Sequence, residues 1–288
     1  MLRILLIGKN GQLGWELQRC LGSLGELAAV DYPEIDLAQP DTVVELVRRV
    51  RPQVIVNAAA YTAVDRAETE QERARQVNAM GPGLLAEEAR RLNAILIHYS
   101  TDYVFDGKKG APYLEEDQPH PLNSYGASKL EGERLIQQAG GCCLLLRTSW
   151  VYSLRQGGFV NKVLEWARRQ ETLRMVTDQI SNPTWCRALA EITAQVLARG
   201  DDYIRERTGL YHLAGDGFAS RMEWARLILE LDPRREEQKV KELIPALSAD
   251  FPTPAERPLF SALKCDKFTN SFGLKLPDWK TAFRLAIQ

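Results

Sequence analysis

Short apolar segments alternate with longer amphipathic segments through the first half of the chain, and this order constrains the fold more than any other feature. The apolar segments predict strands at residues 2–7, 27–31, 54–57, 95–100 and 143–148. The segments between them predict helices after the glycines near residue 8, at 43–50, at about 70–92 and at 124–138. Strands that alternate with helices pair in parallel and carry helices on both faces of the sheet. We therefore predict an α/β fold with a doubly wound parallel sheet.

The second half of the chain has a looser pattern. Helices are predicted at 159–169, 188–197 and 222–231, and strands near 173–176 and 210–213. Three prolines between residues 252 and 258 exclude a regular element there. The length of 288 residues fits one large domain or two modest ones. We predict a first domain at 1–150 and a smaller α/β lobe at 151–288, with one or two elements that cross back to the sheet.

Composition and charge narrow the class of protein. The chain has 37 Lys and Arg against 38 Asp and Glu, a balance that argues against a nucleic-acid partner. The apolar run at 2–7 is far shorter than a membrane span, so no membrane partner is expected. The 5 cysteines are odd in number and form no C-x-x-C pair, which fits reduced thiols in the cytoplasm. The 3 histidines have no metal-binding spacing with cysteine, so no metal site is predicted.

A glycine-rich turn, Gly8-Lys-Asn-Gly11-Gln-Leu-Gly14, follows the first strand and opens a helix. Glycines in such a turn let backbone N–H groups approach a pyrophosphate, which the start of the helix attracts. The spacing differs from G-x-G-x-x-G, and a purely structural turn explains it equally well. Asp31 lies about 20 residues further on, at the end of the second strand, where a carboxylate can bind a ribose. Together they favour a Rossmann-type dinucleotide site.

Tyr125 and Lys129 stand four residues apart on a predicted helix, so their side chains share one face. A neighbouring ammonium favours the phenolate and lowers the pKa of a tyrosine toward a useful range. Thr101 ends the fourth strand, where its hydroxyl can hold a substrate oxygen. A tyrosine and a lysine at this spacing also occur on solvated helix faces. The order of glycine turn, acidic residue, threonine and tyrosine–lysine pair favours a catalytic site.

These residues resemble the extended short-chain dehydrogenase/reductases, and the longer segments resemble the dTDP-4-dehydrorhamnose reductase family. The segments that carry the resemblance are 8–14, 57–65 (NAAAYTAVD), 98–107 (HYSTDYVFDG), 125–129 (YGASK), 147–152 (RTSWVY) and 251–258 (FPTPAERP). The resemblance implies reduction of the C4 keto group of dTDP-4-dehydro-L-rhamnose by NADPH or NADH. It also implies that Tyr125 donates the proton, with Thr101 and Lys129 as the other catalytic residues.

The same resemblance assigns residues to each ligand. The implied cofactor contacts are Gly8, Gly11, Gln12, Leu13, Asp31, Asp36, Leu37, Ala60, Tyr61, Thr62, Tyr99, Tyr125 and Lys129. The implied substrate contacts are Thr101, Asp102, Trp150, Asn182 and Arg257. Trp150 has core packing as an equal alternative. Asn78 resembles the helix asparagine that supports a water relay in the superfamily, with a helix-bending role as its alternative.

Three questions stay open at this stage. Asp31 argues for NADH because it repels a 2′-phosphate, whereas Lys9 could neutralise one. Some members of the family dimerise around a magnesium ion held by glutamates, but Arg187 stands at one aligned position, so we expect no metal bridge and a monomer or weak homodimer. Two other functions remain as alternatives. One is a dinucleotide-binding regulatory subunit like the regulator of methionine adenosyltransferase, and the other is a reductase or epimerase of another nucleotide sugar.

Overall fold

The centre of the protein is a sheet of six parallel strands in the order β10-β5-β4-β3-β1-β2. The structure is a computed structural model and describes residues 2–155 and 157–288. Sheet strands are β1 (Leu2–Ile7), β2 (Gly25–Val30), β3 (Val54–Asn57), β4 (Ile95–Thr101), β5 (Cys142–Thr148) and β10 (Gly209–His212). Shorter strands are β6 (Val151–Tyr152), β7 (Thr172–Val176), β8 (Ile180–Ser181), β9 (Thr184–Trp185), β11 (Ala219–Ser220) and β12 (Glu242–Ala246). This confirms the doubly wound α/β fold.

Helices cover both faces of the sheet, and further helices alternate with short strands in the second half of the chain. In the first half they are α1 (Gln12–Leu21), α2 (Pro40–Val50), α3 (Val64–Ala67), α4 (Gln71–Arg75), α5 (Gly81–Arg91) and α6 (Ser124–Ala139). In the second half they are α7 (Phe159–Arg169), α8 (Cys186–Leu197), α9 (Asp201–Arg205), α10 (Arg221–Glu230), α11 (Asp266–Phe272) and α12 (Trp279–Ile287). Among the described residues, no helix combines the length and the apolar character that crossing a membrane requires.

The central strands are apolar on both faces because both faces are covered. Residues of β1, β3 and β4 alternate between two cores, one beneath α1, α8 and α11 and the other beneath α2, α5 and α6. Apolar side chains at helical spacing, such as Leu13, Leu17 and Leu21 in α1, supply the covering faces. A third core, which contains Trp224 and Phe283, joins α7, α10 and α12 beside the paired strands β7 and β12. Two elements after residue 150 pack with the first half of the chain: α8 lies against the core beneath α1, and β10 pairs with β5.

Strand β1 lies between β2 and β3 in the sheet. From β1 the chain passes to β2 on one side, and β3 then begins the part of the sheet on the other side. Such a switch point opens a crevice at the carboxyl ends of the strands, because the connecting segments diverge there. The candidate residues Gly8, Asp31, Thr101 and Trp150 follow β1, β2, β4 and β5 or end them. The fold therefore gathers them at one edge.

The predicted helix at about 70–92 is wrong in one respect, because it is interrupted by a π-helical turn at Gln76–Met80. Pro82 follows in the first turn of α5, and its missing N–H cannot bond the carbonyl of Asn78. That carbonyl packs against α6 instead: a Cβ added to Gly132 would lie 2.1 Å from it. The short helix α3 was also not predicted.

A buried ion pair ties α6 to the sheet. Arg147 in β5 donates two hydrogen bonds to Glu133 in α6, from Nε at 2.9 Å and from Nη2 at 2.7 Å. Ser100 in β4 donates a third to the same carboxylate at 2.5 Å. The side chains of Arg147 and Glu133 are 3% and 2% exposed. Each charge is thus paired and hydrogen-bonded, as burial requires.

We predict that Glu133→Gln destabilises the protein by about 3–5 kcal/mol, because Arg147 would remain buried without a counter-charge. The exposed pair of Lys241 and Glu171, with side chains 73% and 69% exposed, provides the matched control. Glu171→Gln should change the free energy of unfolding by less than about 0.5 kcal/mol. Denaturant unfolding of both variants measures the difference, and equal small losses would contradict the role given to Glu133.

Candidate active site

A cleft of about 440 Å³ opens at the carboxyl edge of the sheet. It is lined by the ends of five sheet strands and the first turns of α1 and α6. The lining residues are Gly8, Gly11, Gln12, Leu13, Asp31, Ala58, Ala59, Ala60, Thr62, Tyr99, Ser100, Thr101, Asp102, Tyr125, Lys129, Thr148, Ser149, Trp150 and Val151. Most of the residues predicted from sequence for a cofactor and a substrate therefore share one cavity.

The glycine turn has both a structural and a ligand-facing side. Gly14 serves packing, since a Cβ there would lie 1.8 Å from the carbonyl oxygen of Gly8. Gly8 has a φ of +92°, and its Cβ would lie 2.7 Å from the backbone nitrogen of Ala59, so only glycine fits. No side chain caps the start of α1, and the Oε1 atom of Gln12 is buried without a hydrogen-bond partner among the described residues. The free backbone N–H groups at the start of α1 can donate to a bound pyrophosphate, whereas the Gln12 oxygen only accepts and would need a donor from another part of a ligand.

The acidic end of the cleft is preorganised by backbone hydrogen bonds. The Asp31 carboxylate accepts hydrogen bonds from the N–H groups of Asn10 at 2.9 Å and Tyr32 at 2.8 Å. Lys9 forms an ion pair with Glu34, which also accepts a hydrogen bond from the N–H of Asp31. The hydrogen bond from Lys9 is the main cause that lowers the pKa of Glu34. Two carboxylates and one neutralised lysine therefore surround the position predicted for the adenosine ribose.

Lys129 is buried at the floor of the cleft, with 1% of its surface exposed. Its Nζ donates to the carbonyl oxygen of Tyr99 at 2.7 Å and lies 3.1 Å from the Nε2 atom of His98. Burial lowers the pKa of Lys129 to about 8, and the nearby Glu133 carboxylate acts in the opposite direction. His98 belonged to a motif quoted from the sequence, but sequence reasoning gave it no role.

Tyr125 lies in the first turn of α6, where the helix begins close to the end of β4. The Oδ1 atom of Asn123 caps the helix by accepting a hydrogen bond from the N–H of Gly126 at 2.8 Å. Gly126 permits this approach, since a Cβ there would lie 2.2 Å from the carbonyl oxygen of Tyr103. Burial raises the pKa of Tyr125, and a hydrogen bond with the Thr101 side chain opposes that rise. The lowering of this pKa that the sequence predicts from Lys129 is wrong for the ligand-free protein, because the effect of burial dominates.

Asp102 is a buried acid next to Thr101, the threonine that the sequence predicts to be catalytic. Its Oδ2 accepts hydrogen bonds from Ser261 at 2.5 Å and Ser181 at 3.0 Å, and its Oδ1 accepts one from Thr101 at 3.2 Å. Burial raises the pKa of Asp102 to about 6, and these three hydrogen bonds oppose the rise. The carboxylate connects the end of β4 to the second half of the chain and fixes the Thr101 hydroxyl.

Trp150 lines the cleft and also packs against the core, so both of its predicted roles find support. Its φ is +38°, an unusual value for a bulky residue, and its ring stacks on Trp224 with centroids 5.6 Å apart. The guanidinium of Arg221 lies 3.6 Å from the centre of the Trp150 ring and 4.7 Å from that of Phe159. The Trp150 side chain is thereby held rigid at the rim.

Arg221 is the residue that sequence reasoning missed. Burial lowers its pKa to about 10, and Tyr103 and Asp102 act against that shift. No carboxylate among the described residues forms an ion pair with it, whereas Arg257, which also faces Tyr103, is paired with Asp65. A stacked guanidinium without a carboxylate partner is suited to an anionic ligand. The only sequence signal for Arg221 is its position at the start of a helix, directly after Ser220. This position belongs to no known motif.

Three residues predicted at the cofactor do not line the cleft. Asp36 accepts two hydrogen bonds from Arg73, both at 3.1 Å, and Leu37 is buried in the core beneath α2 and α5. The Tyr61 hydroxyl donates to Glu70 at 2.6 Å. These side chains are engaged elsewhere in the ligand-free protein, and the contacts of Asp36, Leu37 and Tyr61 with the cofactor stay a prediction. The motifs in the sequence do not reveal these internal partners, because the partners lie outside the motifs.

Two predicted substrate residues are also engaged internally. Asn182 is buried, and its Nδ2 donates to the carbonyl oxygens of Gly215, Gly217 and Leu263 at 2.8–3.3 Å. It organises its loop and is not among the residues that line the cleft, so its assignment to the substrate stays a prediction. Arg257 donates to both carboxylate oxygens of Asp65, at 2.6 and 2.8 Å. It reaches a ligand only if that pair is shared or opened.

The metal question rests on Arg187. This residue lies in the first turn of α8 and pairs with Glu191 at 2.9 Å. Within residues 2–155 and 157–288, no group of three or more His, Cys, Asp and Glu side chains could hold a metal ion. The absence of a metal bridge between subunits stays a prediction.

The comparisons with known proteins agree with the predicted resemblance. Residues 2–288 match the family described as the RmlD substrate binding domain. A dTDP-4-dehydrorhamnose reductase of Burkholderia thailandensis is 40% identical over 296 residues, covering 100% of this chain and 98% of the relative. The solved dTDP-4-dehydrorhamnose reductase of Clostridium acetobutylicum superposes with a TM-score of 0.91 at 32% identity, covering 99% of this chain and 98% of that one.

A second solved structure is a dTDP-4-dehydrorhamnose reductase of Bacillus anthracis in complex with NADP. It superposes with a TM-score of 0.89 at 31% identity and covers 99% of this chain and 98% of that one. The match extends over both halves of the chain. With a family model over residues 2–288 and a relative 40% identical over its whole length, the chain belongs to the dTDP-4-dehydrorhamnose reductase family.

Proposed function

We propose that this protein reduces the C4 keto group of dTDP-4-dehydro-L-rhamnose with NADH or NADPH and forms dTDP-L-rhamnose. The observation that carries the proposal is the complete set of Thr101, Tyr125 and Lys129 at the floor of one cleft. A purely regulatory protein would have no use for a buried tyrosine–lysine pair. The family to which the chain belongs supports the same reaction.

Residues along the glycine turn would hold the reduced dinucleotide. The start of α1, with Gly11, Gln12 and Leu13, faces its pyrophosphate, and Asp31 faces the hydroxyls of the adenosine ribose. Ala60, Thr62 and Tyr99 line the groove beyond them. When bound, the dinucleotide supplies a hydride, which carries two electrons to the C4 carbon of the sugar.

The protein supplies the proton and fixes the reacting oxygen. The Thr101 hydroxyl would turn its single hydrogen from Asp102 to the C4 oxygen and so orient it, and the Tyr125 hydroxyl donates its proton to that oxygen as the carbonyl bond opens. The phenolate left on Tyr125 is stabilised by Lys129, one helical turn away. The raised pKa of Tyr125 suits this direction, because the residue starts the reaction protonated.

The substrate diphosphate would lie near Arg221, between Trp150 and the second half of the chain. Arg221 offers a guanidinium without a carboxylate partner in the described residues, and Trp150 forms the rim beside it. Arg257 would act as a second cation through its shared pair with Asp65.

We further infer a cytoplasmic location and a monomer or weak homodimer. The 5 cysteines, none of which forms a disulfide, are consistent with that location.

Tyr125→Phe should reduce kcat with the keto sugar by at least about 100-fold, because the proton donor is lost. Binding of the dinucleotide should change little, since the ring and its surroundings remain. Steady-state oxidation of NADH at saturating substrate measures the effect. Tyr203→Phe, which removes a hydroxyl that donates to the carbonyl oxygen of Phe272 away from the cleft, serves as control. Retention of most of the turnover by Tyr125→Phe would refute the assignment.

The ligand-free site favours NADH over NADPH. A 2′-phosphate would meet the carboxylates of Asp31 and Glu34, while Lys9 is already neutralised by Glu34. We expect a lower KM for NADH in the wild-type protein and a severalfold fall in the KM for NADPH in Glu34→Gln, which releases Lys9. Initial rates with both cofactors decide this. A strong preference of the wild type for NADPH would show that the interpretation of Asp31 is wrong.

Arg221→Met should raise the KM for the sugar nucleotide by about 10- to 100-fold, because a hydrogen bond to a charged group contributes about 1.5–3 kcal/mol. The KM for the dinucleotide should stay unchanged. Arg226 lies exposed on the same helix, so Arg226→Met is a matched control for loss of a positive charge. If both variants behave alike, Arg221 has no specific part in binding the diphosphate.

A further inference from the structure

Three buried side chains, those of Asn57, His98 and Lys129, form a continuous hydrogen-bond chain that begins at the backbone N–H of Ala59. The Oδ1 atom of Asn57 accepts a hydrogen bond from the N–H of Ala59 at 3.1 Å. Its Nδ2 lies 3.0 Å from the Nδ1 of His98, and the Nε2 of His98 lies 3.1 Å from the Nζ of Lys129. Asn57, His98 and Lys129 are 0%, 0% and 1% exposed. No solvent can therefore satisfy a mismatched donor in this chain.

The backbone fixes which way the asparagine amide faces. An N–H group can only donate, so the atom of Asn57 next to the Ala59 N–H is the oxygen. The nitrogen of the same amide therefore faces His98 and donates to it. It follows that the Nδ1 of His98 is an acceptor and carries no proton. A neutral imidazole carries one proton, so the proton of His98 is on Nε2.

The Nε2–H of His98 points at Lys129, and only one form of the lysine can accept it. An ammonium has three donors and no lone pair, whereas a neutral amine has two donors and one lone pair. The neutral amine satisfies every contact: it accepts from His98, donates to the carbonyl of Tyr99 at 2.7 Å, and keeps one N–H for the cleft. The charged form would set two donors against each other in a dry interior.

We propose that His98 is a positioning residue that, through its bond with Asn57, favours the neutral amine of Lys129 over its ammonium form in the ligand-free protein. The lysine then takes up a proton from solvent in the cleft when the proton of His98 moves from Nε2 to Nδ1 and the Asn57 amide turns its oxygen toward Nδ1. The consequence for catalysis rests on the proposed function, in which charged Lys129 stabilises the phenolate of Tyr125. The tautomer of His98 does not depend on that function.

The surroundings act in the same direction. Burial lowers the pKa of Lys129 to about 8 and lowers that of His98 well below its ordinary value. The charged groups that face Lys129 are few. Glu133 on the same helix favours the ammonium, but it is paired with Arg147 from β5, and His98 and the Tyr99 carbonyl are the polar groups on β4.

Nitrogen-15 NMR of histidine-labelled, ligand-free protein at about pH 8.5 tests the tautomer directly. His98 should show the Nε2–H tautomer. His212 is an internal reference of opposite kind, because its Nδ1 lies 3.1 Å from the carbonyl oxygen of Tyr113 and must donate, while its Nε2 faces Arg147. Loss of one signal in His98→Gln assigns the resonances. The Nδ1–H tautomer at His98 would overturn the proposal, whatever the protein's activity.

Asn57→Asp reverses the polarity of the chain with little change in shape. A carboxylate at this position can still accept from the N–H of Ala59 but forces His98 to donate from Nδ1, so Nε2 becomes an acceptor for charged Lys129. The variant should show the Nδ1–H tautomer at the same pH. The proposal fails if the folded variant, with its His212 signal unchanged, keeps the Nε2–H form.

The same change should appear in the pH profile. Activity falls as pH rises through the pKa of Lys129, and Asn57→Asp raises that pKa, so the alkaline limb of kcat/KM should move up by about one pH unit or more. His98→Gln, whose amide oxygen can turn toward the lysine, should move the limb in the same direction. His120→Gln, at an exposed histidine, is the control. An alkaline limb that stays at the wild-type position in both folded variants would contradict the proposal.

Discussion

The common direction of the six strands is the constraint on which the rest of this structure depends. Because all of them are parallel, their carboxyl ends open at one edge, and the switch between β2 and β3 on either side of β1 leaves a crevice there. The close approach of Gly14 to the carbonyl of Gly8 holds α1 against β1, so the uncapped start of α1 faces that crevice. This arrangement determines the position of the groups that face the cleft.

Burial makes the same edge chemically active. Lys129, Tyr125 and Asp102 lie where water is scarce, and burial is the main cause of the pKa shift of each. The fold tolerates these groups because each has a hydrogen-bond partner, while the larger cost of burying Arg147 is offset by Glu133. Stability and reactivity are thus set by one set of polar contacts between β4, β5 and α6.

Periodicity and motifs predicted the fold well because they report local physics. The strand at residues 54–57 and the helix at 159–169 have the predicted bounds, since apolar runs and helical spacing depend on nearby residues alone. The π-helical turn was not predicted, because it depends on Pro82 together with the packing of Gly132, which lies fifty residues further along the chain. The division into domains at residue 150 stays a prediction, as β10 joins the first layer from the second half.

For the site, the sequence placed Gly8, Asp31, Thr101, Tyr125 and Lys129 on one cleft, and they lie there. These residues stand at the ends of strands or at the start of a helix, where topology alone determines their position.

Residues whose role depends on a distant partner could not be assigned in this way. Asn182 and Asp36 are already bonded to other parts of the chain, whereas Arg221 lacks a carboxylate partner within the described residues. Such pairings join residues far apart in sequence and leave no local pattern.

The most direct test of the account follows the hydride itself. Purified protein is incubated with dTDP-4-dehydro-L-rhamnose and NADH that carries deuterium at C4 of the nicotinamide, and the sugar product is examined by NMR. The account predicts dTDP-L-rhamnose with deuterium at C4 of the sugar and none elsewhere, because hydride moves directly between the two carbons while Tyr125 supplies an exchangeable proton to oxygen. No consumption of either cofactor, or a product without deuterium at C4 when both faces of the nicotinamide are labelled, would contradict it.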